Sequence, residues 1–324
     1  MRICVLNVDN QNSTAAISKL EPLADPSEWL KNQIWDRYFI RKKDAEIQLS
    51  DLIRKRYDLF LNLCDGAEGE DRPGIEVVKM LEKTCVAFTG ADSAFYDPSK
   101  EEMKIACEKS GIKFPIGVTV FSFENLSKFI ENMSFPMIVK HPKSYNSIGM
   151  TRDSLVHDFA ALKVQVEKMI SEFKGALIEE YVDGPEYTAL VAENANDSEN
   201  PYFFTPMKMI FPEGETFKYF DLKWKKHNSM NFVPCTDKVL SESISLASSA
   251  MFRAMKGKGY ARCDLRMNSM GEIYMLEINP NCSIYFPKHD CSSADQILFY
   301  EKNGHERFTK MILESAVKRT RHSE

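Results

Sequence analysis

The stretch Gly259–Asn281, GYARCDLRMNSMGEIYMLEINPN, decides how this chain is read. In its first half Ala261, Cys263, Leu265 and Met267 are apolar, while Arg262, Asp264 and Arg266 are charged. That alternation is the period of a strand with two unlike faces. Glu272 to Asn279 reads as a second strand, and Asn268-Ser269-Met270-Gly271 as the turn between them. Paired as an even-loop hairpin, the strands set Asp264 nearly opposite Glu277, and Asn279, two residues further on, shares that face. Directly opposed side chains lie about 4.5–5.5 Å apart at Cβ. Asp264, Glu277 and Asn279 then converge beside Arg262, and such hard oxygen donors suit magnesium, with manganese as the alternative. A solvated surface pair is the plainer reading. Against it, Glu277 lies within the apolar run Ile273-Tyr274-Met275-Leu276-Ile278, where an unpaired carboxylate is costly.

The bulk numbers narrow the class. At 324 residues the chain can bury a sizeable core and is long enough for two or three subdomains. Its hydrophobic and charged fractions, 44% and 27%, are those of an ordinary soluble globular protein. A net charge of -5 argues against a general nucleic-acid binder. The eight cysteines show neither CxxC nor zinc-like spacing, and several fall within apolar strands, so they read as reduced, buried small residues. Met1-Arg2 runs straight into the strand Ile3–Val8, with no signal peptide expected before it and no apolar run of membrane-spanning length. A cytoplasmic enzyme or binding protein is the expectation.

Along the first third, strands at Ile3–Val8, Asp58–Leu63 and Cys85–Phe88 alternate with helical spacing ending at Arg56 and over Pro73–Lys83, which implies a small parallel sheet. Trp29 to Arg37 is aromatic and amphipathic and reads as packing. Asp97-Pro98 predicts a helix start with Asp as its cap, running to Gly111. Pro115–Phe121 is extended, Phe123–Asn132 a short helix, Pro136–Lys140 a strand, and Ser154–Lys174 an amphipathic helix. Strands follow at Leu177–Val182, Glu186–Val191 and Tyr202–Met209, then the basic segment Lys218–His227 and helices over Ser243–Lys256 and Phe308–Lys318.

Two further segments carry chemistry. Lys140 ends an apolar strand and enters a loop with Ser144, Asn146, Ser147 and Gly149, whose amides and hydroxyls can cradle phosphate oxygens. The single glycine is no Walker A pattern, and a solvated lysine at a strand end fits it equally well. Glu179-Glu180-Tyr181-Val182, followed by Gly184 and Glu186, is a strand leaving the core into a tight turn. Its backbone can offer N–H and C=O groups to a purine edge, with a carboxylate following for ribose hydroxyls. An ordinary strand edge is the alternative.

Taken in order, these pieces resemble the ATP-grasp superfamily, and within it the D-alanine–D-alanine ligase branch. Gly66–Asp71 (GAEGED) looks like that branch's HG-x-x-GED region, Pro136–Gly149 like its phosphate loop, Leu177–Glu186 (LIEEYVDGPE) like its adenine hinge, and Gly259–Asn279 like its GxxRxD…LExN hairpin. The resemblance covers nearly the whole chain. It implies an α/β fold with an α+β ATP-binding half: an N-terminal domain over 1–96, a central subdomain over 97–181 and a C-terminal one over 182–324. Residue by residue, it implies that Lys100 and Lys140 contact the phosphates of ATP and that Ser147 closes over the γ-phosphate. Glu179 and the backbone of Glu180, Tyr181 and Val182 would read adenine, and Glu186 the ribose. Asp264, Glu277 and Asn279 would hold magnesium, and Arg262 would steady charge on the reacting acyl group. The segment Phe220–Lys226 takes the place of the family's mobile loop, with Lys223 or Lys225 as its lysine. The activity implied is ADP-producing ligation of a small-molecule carboxylate to an amine through an acyl phosphate. Neither nucleic acid nor membrane is expected as a partner, and a homodimer is the family expectation.

The departures gather on the amino-acid side. Asn7–Asn12 carries no glutamate where the branch anchors its first substrate's amine. The histidine of the HG pair is Asp65, the paired serines are Asn146-Ser147, and no glycine follows Asn279 in Pro280-Asn281-Cys282-Ser283-Ile284. The expectation is therefore a ligase acting on another carboxylate and amine, an amino acid or small peptide. D-alanine–D-alanine ligase proper, a phosphotransferase and a non-catalytic ATP-binding regulator are the alternatives.

Overall fold

The computed structural model describes residues 1–11, 13–143, 146–225 and 229–321; Asn12, Ser144, Lys226 and His227, named above, lie outside them. The apolar run after Met1 forms β1 (Arg2–Val8), with Ile3 to Leu6 fully buried. It lies between β2 (Ile34–Ile40) and β3 (Leu59–Asn62), parallel to both, with α1 (Ala45–Arg54) and α2 (Ile75–Lys83) packed on this sheet. The sheet is parallel as expected, but its third member is β2, drawn from the segment read as packing. Cys85–Phe88 contributes only the single parallel bridge Phe60–Phe88, because Cys85 takes a left-handed φ of 53° that interrupts extension.

α3 (Lys100–Lys109) starts two residues later than the Asp97 cap predicts. Its cap is Ser99, whose hydroxyl accepts from the Glu102 amide while the Glu102 carboxylate accepts from the Ser99 amide. A second, antiparallel sheet has the order β4 (Gly117–Val120), β7 (Ala176–Glu180), β5 (Met137–Lys140), β6 (Leu155–Val156), with α4 (Leu126–Phe129) and α5 (Phe159–Phe173) alongside. α5 buries Leu162, Val166 and Met169 against β5 and β7.

The third sheet runs β11 (Asn231–Pro234), β10 (Met207–Ile210), β8 (Glu186–Ala192), β12 (Tyr260–Met267), β13 (Ile273–Pro280), with β9 (Tyr202–Phe203) paired to β8. The strand expected over Tyr202–Met209 is thus split into β9 and β10. α6 (Phe220–Trp224) lies within the basic segment, and α7 (Lys238–Ala254) covers the back of the sheet. α8 (Ser293–Tyr300) and α9 (Gly304–Arg321) pack between this sheet and the N-terminal one. Ala261, Cys263, Leu265, Met275 and Ile278 bury one face of the hairpin against α7 and α3. Fully burying each larger side chain contributes about 1.5–3 kcal/mol. Among the described residues no helix is long and apolar enough to cross a membrane, and all eight cysteines are free, six of them buried.

Candidate active site

β12 and β13 do set Asp264 opposite Glu277 and Arg262 opposite Asn279. The route differs from the even-loop hairpin expected from the sequence. Met267 pairs with Ile273 across an odd-length turn, and a bulge between Asp264 and Leu265 on one strand and Met275 and Glu277 on the other restores the opposition. The bulged residue, Leu276, lets Met275 and Ile278 both enter the core while Glu277 faces the cleft. It also turns its carbonyl to Lys100, whose Nζ donates to it at 2.8 Å. Immediately before β12 stands Gly259, where φ is 68° and a Cβ would stand 2.3 Å from the Gly90 backbone. Only glycine fits there.

These groups line a cleft of about 510 Å³ between the second and third sheets. Its charges interlock. Asp264 accepts two hydrogen bonds from Arg262, Nε at 3.0 Å and Nη2 at 2.8 Å. Lys218 Nζ lies 3.5 Å from Asp264 and 3.0 Å from Glu186, and Arg266 Nε donates to Glu186 at 3.1 Å. Lys100 Nζ is 3.3 Å from Glu277, whose other oxygen accepts from Asn279 Nδ2 at 3.0 Å. Lys140 Nζ is 2.6 Å from Glu179, a side chain 3% exposed. Burial pushes the carboxyls of Asp264, Glu277 and Glu179 upward, but the neighbouring cations outweigh it and hold all three below the usual range. The main opposing cations are Arg262 and Lys218 for Asp264, Lys100 for Glu277, and Lys140 for Glu179.

The loop after β5 passes through left-handed φ at Asn146, Ser147 and Gly149. At Gly149 a Cβ would meet the Phe173 ring at 2.4 Å. Asn146 anchors α6: its Oδ1 accepts from Lys223 Nζ at 2.8 Å and its carbonyl from Trp224 Nε1 at 3.2 Å. Ser147 Oγ lies 3.5 Å from the Lys218 carbonyl. Of the two candidate lysines, Lys223 lines the cleft, whereas Lys225 is exposed and pairs with Asp221 at 2.8 Å. Burial, then Arg262 and Lys218, brings the Lys223 ammonium down to about 7.

At the hinge, the Glu180 amide donates to Ile116 O at 2.8 Å and the Tyr181 amide to Pro136 O at 2.9 Å. Arg266, 2% exposed, donates to Val182 O at 3.0 Å and to Thr216 O, and its guanidinium lies 4.6 Å from the Tyr181 ring centroid. Arg266 and Lys218 are thus structural partners of Glu186 that the sequence reading did not assign. The only signals were the charged alternation of β12 and the basic segment.

A second corner opens beyond Asn279. Glu21 accepts from Arg72 Nη2 at 2.7 Å and from Ser283 Oγ at 3.0 Å, and Asp65 also pairs with Arg72. Burial, reinforced by Asp65, raises the Glu21 carboxyl to about 7. Asn7 donates to Ala24 O at 2.9 Å, leaving its buried Oδ1 unpartnered; Asn281 accepts from the Ala91 amide at 2.8 Å, leaving its buried Nδ2 unpartnered. The loop behind is held by Asp295, which accepts from the amides of Tyr285, Phe286 and Ser292 and lies 2.8 Å from His305 Nε2. Glu21 brings a carboxylate to the corner that Asn7–Asn12 lacks; a search confined to that loop misses it because it enters from a later turn.

Residues 118–284 match the family model described as D-ala D-ala ligase C-terminus. The chain belongs to this family. The D-Ala–D-Ala ligase-like proteins are ATP-dependent ligases of ATP-grasp fold, and the structural likenesses show that fold here. An uncharacterized protein of Sinorhizobium fredii, y4sG, is 28% identical over 71% of this chain and 67% of its own length. A D-alanine–D-alanine ligase of Mannheimia succiniciproducens is 25% identical over 77% of this chain and 78% of its own. The crystal structure of D-alanine–D-alanine ligase from Bacillus anthracis complexed with ATP superposes with a TM-score of 0.67, covering 100% of this chain and 99% of that one at 20% identity.

Proposed function

We propose that the chain is an ATP-dependent carboxylate–amine ligase that forms an amide through an acyl phosphate, on amino acids or a small peptide. The observation that carries this reading is the convergence, in one cleft, of the Asp264–Glu277–Asn279 face with Lys100, Lys140, Lys223 and Arg262. The donor set fits magnesium or manganese. Two opposed carboxylates and an amide oxygen are hard ligands, and cationic side chains now sit against both carboxylates. A metal held there would supply charge neutralisation at phosphate oxygens.

The chain's own residues would do the rest. Lys100, Lys140 and Lys223 neutralise the triphosphate, while Ser147 and its loop close over the terminal phosphoryl group. The hinge from Glu179 to Val182 takes the adenine, and Glu186, fixed by Arg266, takes the ribose. A substrate carboxylate oxygen attacks the γ-phosphorus, the bond to the β-phosphate oxygen breaks, and ADP leaves; this step needs positioning and charge balance more than covalent help. An amine then attacks the acyl carbon and phosphate leaves. Arg262, which spends Nε and Nη2 on Asp264, has Nη1 donors for the oxygen that gains charge. The corner of Glu21, Asp65 and the Asn7 oxygen is rich in acceptors, which favours a substrate with an ammonium group. A cytoplasmic homodimer, with segments 1–96, 97–181 and 182–324 as its domains, belongs to the same proposal.

The test is ADP release over pools of amino acids and short peptides, with hydroxylamine to trap acyl phosphate. Trapped hydroxamate supports the ligase. A stable phosphorylated product points to a phosphotransferase, and ATP binding without turnover to a regulator. Glu277→Gln and Arg262→Ala should abolish turnover with the fold intact; full activity in either removes the site assignment.

A further inference from the structure

Lys218 has no place in the functional reading so far, yet it bridges the two ends of the cleft. Its Nζ stands 3.0 Å from Glu186 and 3.5 Å from Asp264, with the side chain 17% exposed. It is the middle of a buried chain of alternating charge, Arg266–Glu186–Lys218–Asp264–Arg262. The two ends are guanidinium groups. Arg266 is additionally fixed on two backbone carbonyls, and Arg262 grips Asp264 through two nitrogens. The centre is a compact ammonium on a flexible stem, held by no such fork. If Lys218 leaves, Glu186 keeps Arg266 and Asp264 keeps Arg262. Its departure leaves each carboxylate with its own guanidinium partner.

We infer that Lys218 is a resident counterion of the Asp264 site, displaced from it by a divalent cation and received by the nucleotide's phosphates. The inference rests on the proposed reading of Asp264 and Glu277 as a cation site. A divalent ion sits about 2.1 Å from its carboxylate oxygen. An ammonium 3.5 Å from the same oxygen then faces two positive charges at close range in a buried setting, so the two cations exclude one another. A bound triphosphate offers the ammonium a new anionic partner within the same cleft. Metal and nucleotide thereby become positively coupled, each favouring the other by the same factor. The Lys218 backbone lies where such a move is felt, its carbonyl against Ser147 Oγ and α6, which begins two residues later, anchored on Asn146 through Lys223.

The experiment measures Mn2+ binding by the loss of the free-ion electron paramagnetic resonance signal, with and without a non-hydrolysable ATP analogue. In the parent, Mn2+ alone should bind weakly and the analogue should tighten it. Lys218→Met should bind Mn2+ alone at least tenfold more tightly than the parent, and the tightening by the analogue should shrink by a similar factor. Lys218→Arg, which keeps the charge, should resemble the parent, an outcome that a merely structural role does not require. Lys218→Gln serves as the second neutral variant should the methionine fail to fold. Unchanged affinity for Mn2+ alone in the neutral variant overturns the inference. Glu277→Gln separates this from failure of the site reading. If it keeps the parent's Mn2+ binding in the presence of the analogue, the cation site itself is wrong and the inference falls with it. If it loses that binding while the Lys218 variants match the parent, only the role of Lys218 is refuted.

Discussion

Arg266→Ala removes the clamp that holds the hinge, the Thr216 carbonyl and Glu186 together. The side chain is 2% exposed and donates to Glu186, Val182 O and Thr216 O. Truncating one partner of a buried ion pair costs about 3–5 kcal/mol, chiefly because the other charge is left uncompensated. Here Lys218 remains 3.0 Å from Glu186, which keeps the carboxylate partly neutralised and places the cost toward the lower end, about 3 kcal/mol. The Val182 carbonyl loses this donor, which adds roughly 1 kcal/mol more, while the Thr216 carbonyl still accepts from the Tyr181 hydroxyl at 2.9 Å. With an unfolding entropy of about 2.1 cal/mol/K per residue, a chain of 324 residues loses about 1.5 °C of melting temperature per kcal/mol. The variant should therefore melt about 5–6 °C below the parent by differential scanning calorimetry. Lys at this position reaches one acceptor rather than three and should fall between the two. A melting temperature within 1 °C or so of the parent would refute the reasoning, because the clamp would then contribute about as little as an exposed pair.

Further outcomes follow from the same geometry. Lys223, depressed to about 7, should take up a proton when an anionic nucleotide binds above that pH. Calorimetry in buffers of different ionisation enthalpy should show the uptake at pH 8, and Lys223→Met should lose it. The sign for stability is the reverse of a paired lysine. Between about 7 and its ordinary value the unfolded chain binds the proton and the folded chain does not, so this residue's contribution to stability rises with pH across that window. Gly259→Ala would drive a Cβ to 2.3 Å from Gly90 in a left-handed conformation, and should lower melting by more than Arg266→Ala does or abolish soluble expression. Asp295→Ala, which frees the loop from Tyr285 to Ser292, should raise KM for the amino-acid substrate several-fold while leaving that for ATP within about twofold; equal effects on both would place the loop elsewhere. Chelation of divalent cations should stop ADP formation, and added Mn2+ should restore it.

The alternation of Ala261, Cys263 and Leu265 with Arg262, Asp264 and Arg266 made the hairpin face legible, since a period of two follows from strand geometry alone. The bulge at Leu276 was not legible. An apolar residue within an apolar run gives no sign that it is unpaired, and only the packing of both Met275 and Ile278 reveals it. The segment of β2 has an apolar and aromatic character that suits a strand or a packed loop, and its parallel partnering with β1 is a long-range fact. The helix cap moved from Asp97 to Ser99 because both are good caps and the reciprocal Glu102 decides between them. Lys218 and Glu21 were missed for one reason. Their roles depend on partners far along the chain, at Glu186, Asp264, Arg72 and Ser283, which local spacing cannot supply.

The most direct test follows one oxygen atom. A carboxylate substrate found by the ADP-release screen is labelled with 18O in its carboxyl group and incubated with ATP and the amine partner. Formation of an acyl phosphate carries one labelled oxygen into the inorganic phosphate released, in a one-to-one ratio with the amide product, and Arg262→Ala and Glu277→Gln should yield neither. Amide formed with unlabelled phosphate, or labelled phosphate formed undiminished by the Glu277 variant, would contradict the ligase proposed for this cleft.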